Sequence, residues 1–366
     1  MIKIGMVGVG DISGIYLENI TKVFKEIKLT AVCDLIRERA ENAKEKYNIP
    51  KIYDTMYDLF ADKEIDIVLN LTRPYQHFEV SKAALEAGKH VYSEKPLAAT
   101  FEEGLELVSL AEEKGLLLGG APDTFLGAGI QTCRQLIDSG MIGDPVGAAA
   151  FMICHGHESW HPDPEFYYKH GGGPMMDMGP YYITALINLL GGVKSVTGVT
   201  RTSFPKRMIT SQPHSGEMID VDVPTFITGI LHFDSNIVGT IFTTFDVHYT
   251  EQARFEVYGS KGTLLIPDPN TFGGPIRLLR QEDGAMKEMP LLFDYKENSR
   301  ALGLADMAKS LETGRKCRVT CKQTLHVLEI MTSFQKSSDL RRTVDLQTRF
   351  TKELPMKSKP LRGVLD

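Results

Sequence analysis

The sequence predicts an α/β fold: an N-terminal, doubly wound parallel sheet, then an α+β domain with a large open, mostly antiparallel sheet. Two observations predict it. Over the first third of the chain, short and almost wholly apolar runs alternate with longer amphipathic segments, which implies parallel strands covered by helices on both faces. After about residue 122 the grammar changes to long alternating runs separated by turn signals, the pattern of antiparallel strands. The expected division is therefore 1–122 and 123–366.

The elements follow in order. "IKIGMVGV", "LTAVCD", "IDIVLNL", "KHVYSE" and "LLLGGA" read as strands. "RERAENAKEKYN", "HFEVSKAALEAG" and "TFEEGLELVSLAEEKG" read as the helices between them, with Gly88 and Gly115 where helices should stop. A helix is expected at 127–139, a strand at "GAAAFMICH", then a Gly-rich loop and a helix at about 178–190. "VKSVTGVTRTSF", "TFITGILHF", "NIVGTIFTTFDV", "ARFEVYG", "GTLLIP" and "PIRLLRQ" read as strands of the second sheet. Two helices, at about 300–313 and 322–337, complete the chain.

Bulk properties remove several classes of function. The chain has 366 residues, 42% hydrophobic and 24% charged, with a formal net charge of -6 and no basic tract, which argues against a nucleic-acid partner. No apolar run has the length needed to span a bilayer, so no membrane association is expected. "MIKIGMVGVG" reads as a strand rather than a signal peptide. The five cysteines are odd in number and scattered, so a disulfide framework is not expected and a reducing cytoplasm is.

The first motif is "MVGVGDISG", between the first strand and a helix. Gly8, Gly10 and Ser13 fill the places of G-x-G-x-x-G/A. The first glycine permits the tight turn, and the second lets backbone approach a pyrophosphate. The third small residue allows close helix–strand contact, and the helix N-terminus favours the anion. Gly8, Gly10, Asp11, Ile12 and Ser13 are thus candidate cofactor contacts in a Rossmann-type domain. Asp34 ends the second strand 24 positions after Gly10, where a carboxylate accepts hydrogen bonds from a free ribose 2′-OH and repels a 2′-phosphate. NAD is expected over NADP, although Arg37 and Arg39 lie close enough to pair with a phosphate.

Two more βα loops lie on the ligand-facing rim of such a sheet. "NLTRPYQHFEV" offers Asn70, Thr72, Pro74 and His77 toward the nicotinamide half; the bland alternative for His77 is a residue that merely starts the next helix. "SEKP" places Glu94 and Lys95 at the end of the next strand, with Pro96 restricting the lysine to extended geometry. An ammonium held there can hydrogen-bond a substrate hydroxyl and lower its pKa; the bland alternative is an exposed loop lysine. In the second domain, "GGGPMMDMGPYYITALINLLG" puts Asp177 at a helix start, with Tyr181 four residues on and on the same face; the bland alternatives are an N-cap for Asp177 and packing for Tyr181 and Tyr182. "CHGHESWHPDPEFYYKHGGG" holds His155, His157, His161, His170 and Trp160. Its spacing matches no zinc signature, so no metal is expected; a polar, aromatic-lined pocket for a polyhydroxyl ligand fits better, with His157, Trp160 and His161 as candidate contacts.

Together these residues resemble the Gfo/Idh/MocA oxidoreductase family: "GVGDIS", Thr72, Pro74 and His77, "EKP" at 94–96, "GGGPMMDMGPYY" and "VYGSKGTLLIPDPNTFGG". The resemblance covers most of the chain. It implies that Lys95 is the catalytic lysine and that Asp177 is the Asp of the family's D-x-G-x-H pattern. Tyr181 stands where many members have histidine, a departure shared with sugar-type and dihydrodiol dehydrogenases. A free phenol has a pKa near 10, and adjacent Lys95 is expected to lower it. The resemblance also implies sheet-mediated homo-oligomers. The expected activity is NAD-dependent hydride transfer to or from a secondary alcohol of a sugar, glycoside or cyclitol, with Tyr181 or a histidine taking the proton. A redox-neutral enzyme using transient sugar oxidation and a catalytically silent NAD-binding sensor are the other readings.

Overall fold

The computed structural model describes residues 1–251, 255–357 and 365. The first sheet and its helices are β1 (Ile2–Val7), α1 (Ser13–Lys22), β2 (Ile27–Cys33), α2 (Arg37–Tyr47), β3 (Lys51–Ile52), α3 (Met56–Ala61), β4 (Ile67–Asn70), α4 (His77–Glu86), β5 (His90–Ser93), α5 (Phe101–Lys114) and β6 (Leu118–Gly120). All its strands run parallel, in the order β3-β2-β1-β4-β5-β6. The strand order reverses between β1 and β4, so a crevice opens at their carboxyl ends, where ligands bind in this architecture. The burial of β4 on both faces explains why its sequence shows no alternation.

Helix ends follow local chemistry. Thr100 caps α5 through a capping box with Glu103, and Gly115 closes it at φ 64°. The expected helices are present. β3 and α3 were not foreseen, because two residues and six residues are too short for a periodicity to register.

The second part comprises α6 (Ala128–Asp138), β7 (Pro145–Ile153), α7 (Pro174–Leu190), β8 (Val193–Arg201), β9 (Lys206–Met208), β10 (Met218–Asp220), β11 (Phe226–Phe233), β12 (Val238–Thr244), β13 (Phe255–Gly259), β14 (Gly262–Leu265), β15 (Ile276–Arg280), β16 (Lys287–Met289), α8 (Leu302–Thr313), α9 (Cys321–Leu340) and β17 (Val344–Asp345). Nine strands form one sheet, β16-β15-β14-β13-β7-β12-β11-β8-β17, antiparallel except for β7 with β12. The start of the expected strand "ARFEVYG", Ala253 and Arg254, lies outside the described residues. β9 and β10 form a separate small hairpin.

One face of this sheet is covered. Phe334 of α9 lies over Gly198 and Gly229, where an added Cβ would stand 2.6 and 2.5 Å from its ring, so only glycine admits the helix this closely. The neighbours Val199 and Ile230, on the opposite face, are 63% and 39% exposed. No helix among the described residues is long and apolar enough to cross a membrane.

Candidate active site

The crevice end of β1 leads into the glycine turn. Gly8 has φ +96°, and a Cβ there would stand 2.7 Å from the Leu71 carbonyl oxygen, so the position excludes any other residue. Around Gly10 a Cβ would meet nothing within 4 Å, which leaves the approach over the turn open. The Ser13 hydroxyl donates to the Gly10 carbonyl at 2.6 Å, and α1 starts at Ser13, so helix N-terminal amides sit beside that opening. Asp34 accepts from the Val9 amide at 2.6 Å and the Ile36 amide at 2.7 Å. Its two oxygens retain further lone pairs for ribose hydroxyls. These features fit a dinucleotide. Asp11 and Ile12 of the turn are exposed, as is Arg39 of α2, while Arg37 pairs with Glu41 and Asp54.

Two residues expected as cofactor contacts have their side chains committed to partners within the protein. His77 is 1% exposed, and its ring nitrogens face the Pro96 carbonyl at 2.7 Å and the Thr72 carbonyl at 3.0 Å. It ties the two rim loops together rather than presenting its imidazole to a ligand. Burial lowers its pKa. Glu94 is also buried, accepting from the Tyr16 hydroxyl at 2.7 Å and the Lys95 amide at 3.0 Å. Thr72 is half-buried with its hydroxyl on Asn70, and Pro74 opens the short turn into α4.

Lys95 is placed at the carboxyl end of β5, joined to Pro96 by a cis peptide bond. Its ammonium donates to the Asp177 carbonyl and to Asp177 Oδ1, both at 2.7 Å. An ammonium has three donors, so one remains. The bland alternative for Asp177, an N-cap, does not hold. α7 begins four residues earlier than predicted, because Gly173 caps it at φ 90° and Pro174 is accommodated in its first turn. Asp177 therefore keeps its carboxylate free for Lys95 and, through Oδ2, for His157 Nε2 at 3.2 Å. Burial opposes both charges, yet each stabilises the other: Asp177 is held well below the usual carboxylate range, and Lys95 well above its ordinary value.

Tyr181, one turn along α7, lies with its ring 5.1 Å from the Lys95 ammonium. The expected lowering of its pKa is corrected here: burial raises it, and the opposing pull of Lys95 and Arg300 does not overcome that. Arg300 was missed by the sequence reading. It reaches the Tyr181 phenol and is itself held by Asn298 at 2.8 Å and Asn270 at 2.7 Å. It sits in "ENSRALG", which carries no motif, and only the fold brings it to α7.

The segment between β7 and α7 crosses toward the first sheet. His157 is lined by Tyr167 at 4.1 Å, Phe245 at 4.7 Å and Trp160 at 5.2 Å. Trp160 is 61% exposed. His161, expected to contact substrate, has its Nε2 3.7 Å from Asp11 of the glycine turn, while Nδ1 accepts from the Asp163 amide at 3.0 Å. Arg73 reaches Asp163 at 2.6 Å, a second tie between the same two regions. Among the described residues, no group of three or more His, Cys, Asp and Glu side chains is placed to hold a metal ion.

Comparison with known proteins matches residues 2–120 to the model of an oxidoreductase family with an NAD-binding Rossmann fold, and residues 130–265 to the GFO/IDH/MocA C-terminal domain. The chain is 23% identical to scyllo-inositol 2-dehydrogenase (NADP(+)) of Bacillus subtilis, covering 94% of this chain and 96% of that relative. It is 24% identical to myo-inositol 2-dehydrogenase of Thermotoga maritima, covering 94% and 98%. Among solved structures, levoglucosan dehydrogenase in complex with NADH and levoglucosan superposes with a TM-score of 0.80 at 19% identity, covering 94% of this chain and 99% of that one.

Proposed function

The chain belongs to the GFO/IDH/MocA family of oxidoreductases, and we propose that it transfers hydride between NAD and a secondary alcohol of a sugar, glycoside or cyclitol. The observation that carries this is the Lys95–Asp177 pair, fixed at 2.7 Å on the same sheet rim that bears the glycine turn. The names of the relatives, inositol and sugar dehydrogenases, support the substrate class. They divide between NAD and NADP, so the preference for NAD rests on Asp34.

A nicotinamide held at this rim supplies the hydride acceptor or donor. The rest is the work of this chain's side chains. Asp177 occupies two of the three donors of Lys95 and so aims the third at one point. A hydroxyl oxygen there is stabilised as it becomes an alkoxide. Tyr181 is the proton-transfer group in this reading. Burial keeps the phenol protonated at neutral pH, which suits proton donation during carbonyl reduction. In alcohol oxidation the phenol must first ionise, with Lys95 and Arg300 nearby to stabilise the phenolate. The alternative acceptor is His157, whose Nε2 lies 3.2 Å from Asp177 Oδ2, although its Nδ1 is buried without a hydrogen-bond partner. Trp160 offers an exposed aromatic face for a sugar ring.

A panel of polyols, sugars and glycosides with NAD and NADP, followed by nicotinamide absorbance, tests the reading. Net reduction of NAD by a polyhydroxylated alcohol is expected. Cofactor retained through turnover without net absorbance change would overturn it in favour of a redox-neutral reaction.

The division at residue 122 into a cofactor-binding and a substrate-binding part belongs to the same proposal. So does assembly as a homo-oligomer of C2 symmetry through the open face of the nine-stranded sheet, where Val199, Ile230 and Val238 are exposed. Light scattering at micromolar concentration should give a dimer or tetramer. The cysteines are free, which supports a reducing cytoplasm.

A further inference from the structure

The hairpin β9–β10 lies outside both large sheets, yet it sends one buried side chain under the substrate side of the crevice. We propose that Arg207 is a positioning residue: it fixes the chain on both sides of His157 and so sets where that imidazole meets Asp177. This rests on the proposed function for its meaning, since His157 and Asp177 matter to catalysis only there.

The guanidinium of Arg207 makes four hydrogen bonds. Nε donates to Glu158 Oε1 at 2.6 Å, and Nη1 to Asp246 Oδ1 at 2.9 Å. Nη2 donates to the His155 carbonyl at 2.7 Å and to the Phe245 carbonyl at 3.0 Å. His155 and Glu158 bracket His157 along the chain, and Phe245 packs its ring 4.7 Å from the His157 ring. One side chain thus holds the backbone of His155, the side chain of Glu158 and the backbone of Phe245, whose ring forms one wall around His157. Tyr168 completes the arrangement: its hydroxyl donates to Glu158 Oε2 and accepts from the His157 amide at 3.4 Å.

The packing leaves no slack. Gly156 has φ +86°, and a Cβ there would run into the Tyr168 hydroxyl and Glu158, with Arg207 Nη2 at 3.0 Å. Further ties hold the loop to the region of the hairpin. The Thr210 and Ser211 amides donate to the Glu158 carbonyl at 2.8 and 3.0 Å, and the Ser211 hydroxyl to the His161 carbonyl at 2.5 Å.

Stability alone does not account for this choice of residues. A buried guanidinium with two carboxylates carries a desolvation penalty, and well-packed apolar side chains often serve a core equally well. What the ionic cluster adds is geometry, because a planar fork fixes the directions of its acceptors.

The test compares the unmutated protein with Arg207→Met, Arg207→Lys and Tyr168→Phe. NAD titration and the thermal transition establish that each variant is folded with its cofactor half intact. The His157 imidazole resonances, read by NMR in the NAD-saturated protein without any need for turnover, should shift in Arg207→Met. Unchanged resonances in a folded variant would overturn the proposal. With a substrate from the panel, kcat/KM should fall roughly tenfold to hundredfold, with NAD affinity kept and Arg207→Lys recovering little. Arg207→Met combined with His157→Gln should lose no more than His157→Gln alone; additive losses would also overturn it. If Arg207→Met fails to fold, Tyr168→Phe carries the same NMR test with a smaller shift expected, and no shift overturns the proposal. Absence of dehydrogenase activity in the unmutated protein, by contrast, would sink the functional reading and leave the NMR result to stand by itself.

Discussion

The two sides of the crevice are held by different means. On the cofactor side, the glycine turn is shaped largely by main chain: Gly8 in a left-handed conformation, Ser13 on the Gly10 carbonyl, and Asp34 on two backbone amides. On the substrate side, position is set by side chains on side chains: Lys95 on Asp177, Asp177 on His157, and Arg207 on Glu158 and Asp246. A main-chain turn is written in consecutive residues and tolerates few changes. A side-chain network is assembled from distant parts of the chain and can be retuned one residue at a time.

That contrast can be broken most sharply at Lys95. Lys95→Ala should lower kcat roughly hundredfold to thousandfold, as when one electrostatic donor is removed from a closed site, while NAD titration stays near normal. Lys95→Arg should not restore turnover, because a planar guanidinium cannot replace a compact ammonium aimed at one oxygen. A parallel loss of NAD binding would show that the two sides are not independently held.

Tyr181→Phe should lower turnover by roughly hundredfold, and the double variant with Lys95→Ala should lose less than the product of the two. The pH profile sharpens the assignment. Burial raises the phenol's pKa, so its ionised form grows only as pH climbs into the alkaline range. Alcohol oxidation should therefore quicken with rising pH, and Tyr181→Phe should flatten that rise. A profile of kcat/KM that keeps its slope in Tyr181→Phe would transfer the proton to His157.

Asp34→Ala tests the main-chain side. The unmutated protein should prefer NAD, and the variant should narrow that preference roughly tenfold, the scale of a lost hydrogen bond to a charged group. Affinity for NAD itself should drop as well, because the Val9 and Ile36 amides lose their acceptor. Tighter NADP binding by the unmutated protein in paired titrations would reverse the cofactor assignment.

The smallest effect lies at the seam between the sides. Asp123 follows β6 and accepts from the Gly303 amide of α8 at 3.0 Å, and burial pushes its pKa up to about 6. In the unfolded chain an aspartate titrates near 4. Between these values the folded state binds more protons than the unfolded one. The contribution of Asp123 is thus fully present below about pH 4 and lost as pH rises through about 6. Asp123→Asn should remove this part of the pH dependence in thermal melts; identical slopes across that window would refute it.

By itself the sequence determined the two sheets, the helices between the parallel strands, the glycine turn with Asp34, and the nomination of Lys95, Asp177 and Tyr181. The sheets, helices and glycine turn are local, resting on periodicity, capping residues, a fixed spacing or a motif within a few consecutive residues; the roles of Lys95, Asp177 and Tyr181 rest on the family resemblance of the motifs around them. The tertiary structure decided what those residues touch. It committed the side chains of His77 and Glu94 to partners within the protein, because burial gave both ring nitrogens and both carboxylate oxygens to neighbouring groups. It made Asp177 an ion-pair partner rather than a cap, since Gly173 took the capping place and left the carboxylate to meet a lysine 82 residues away. It brought Arg300 to Tyr181 and Arg207 beneath His157, contacts that no spacing announces. The sign of the Tyr181 shift was likewise out of reach of sequence, because desolvation depends on everything packed around the phenol, whereas the charge of Lys95 can be read from one letter.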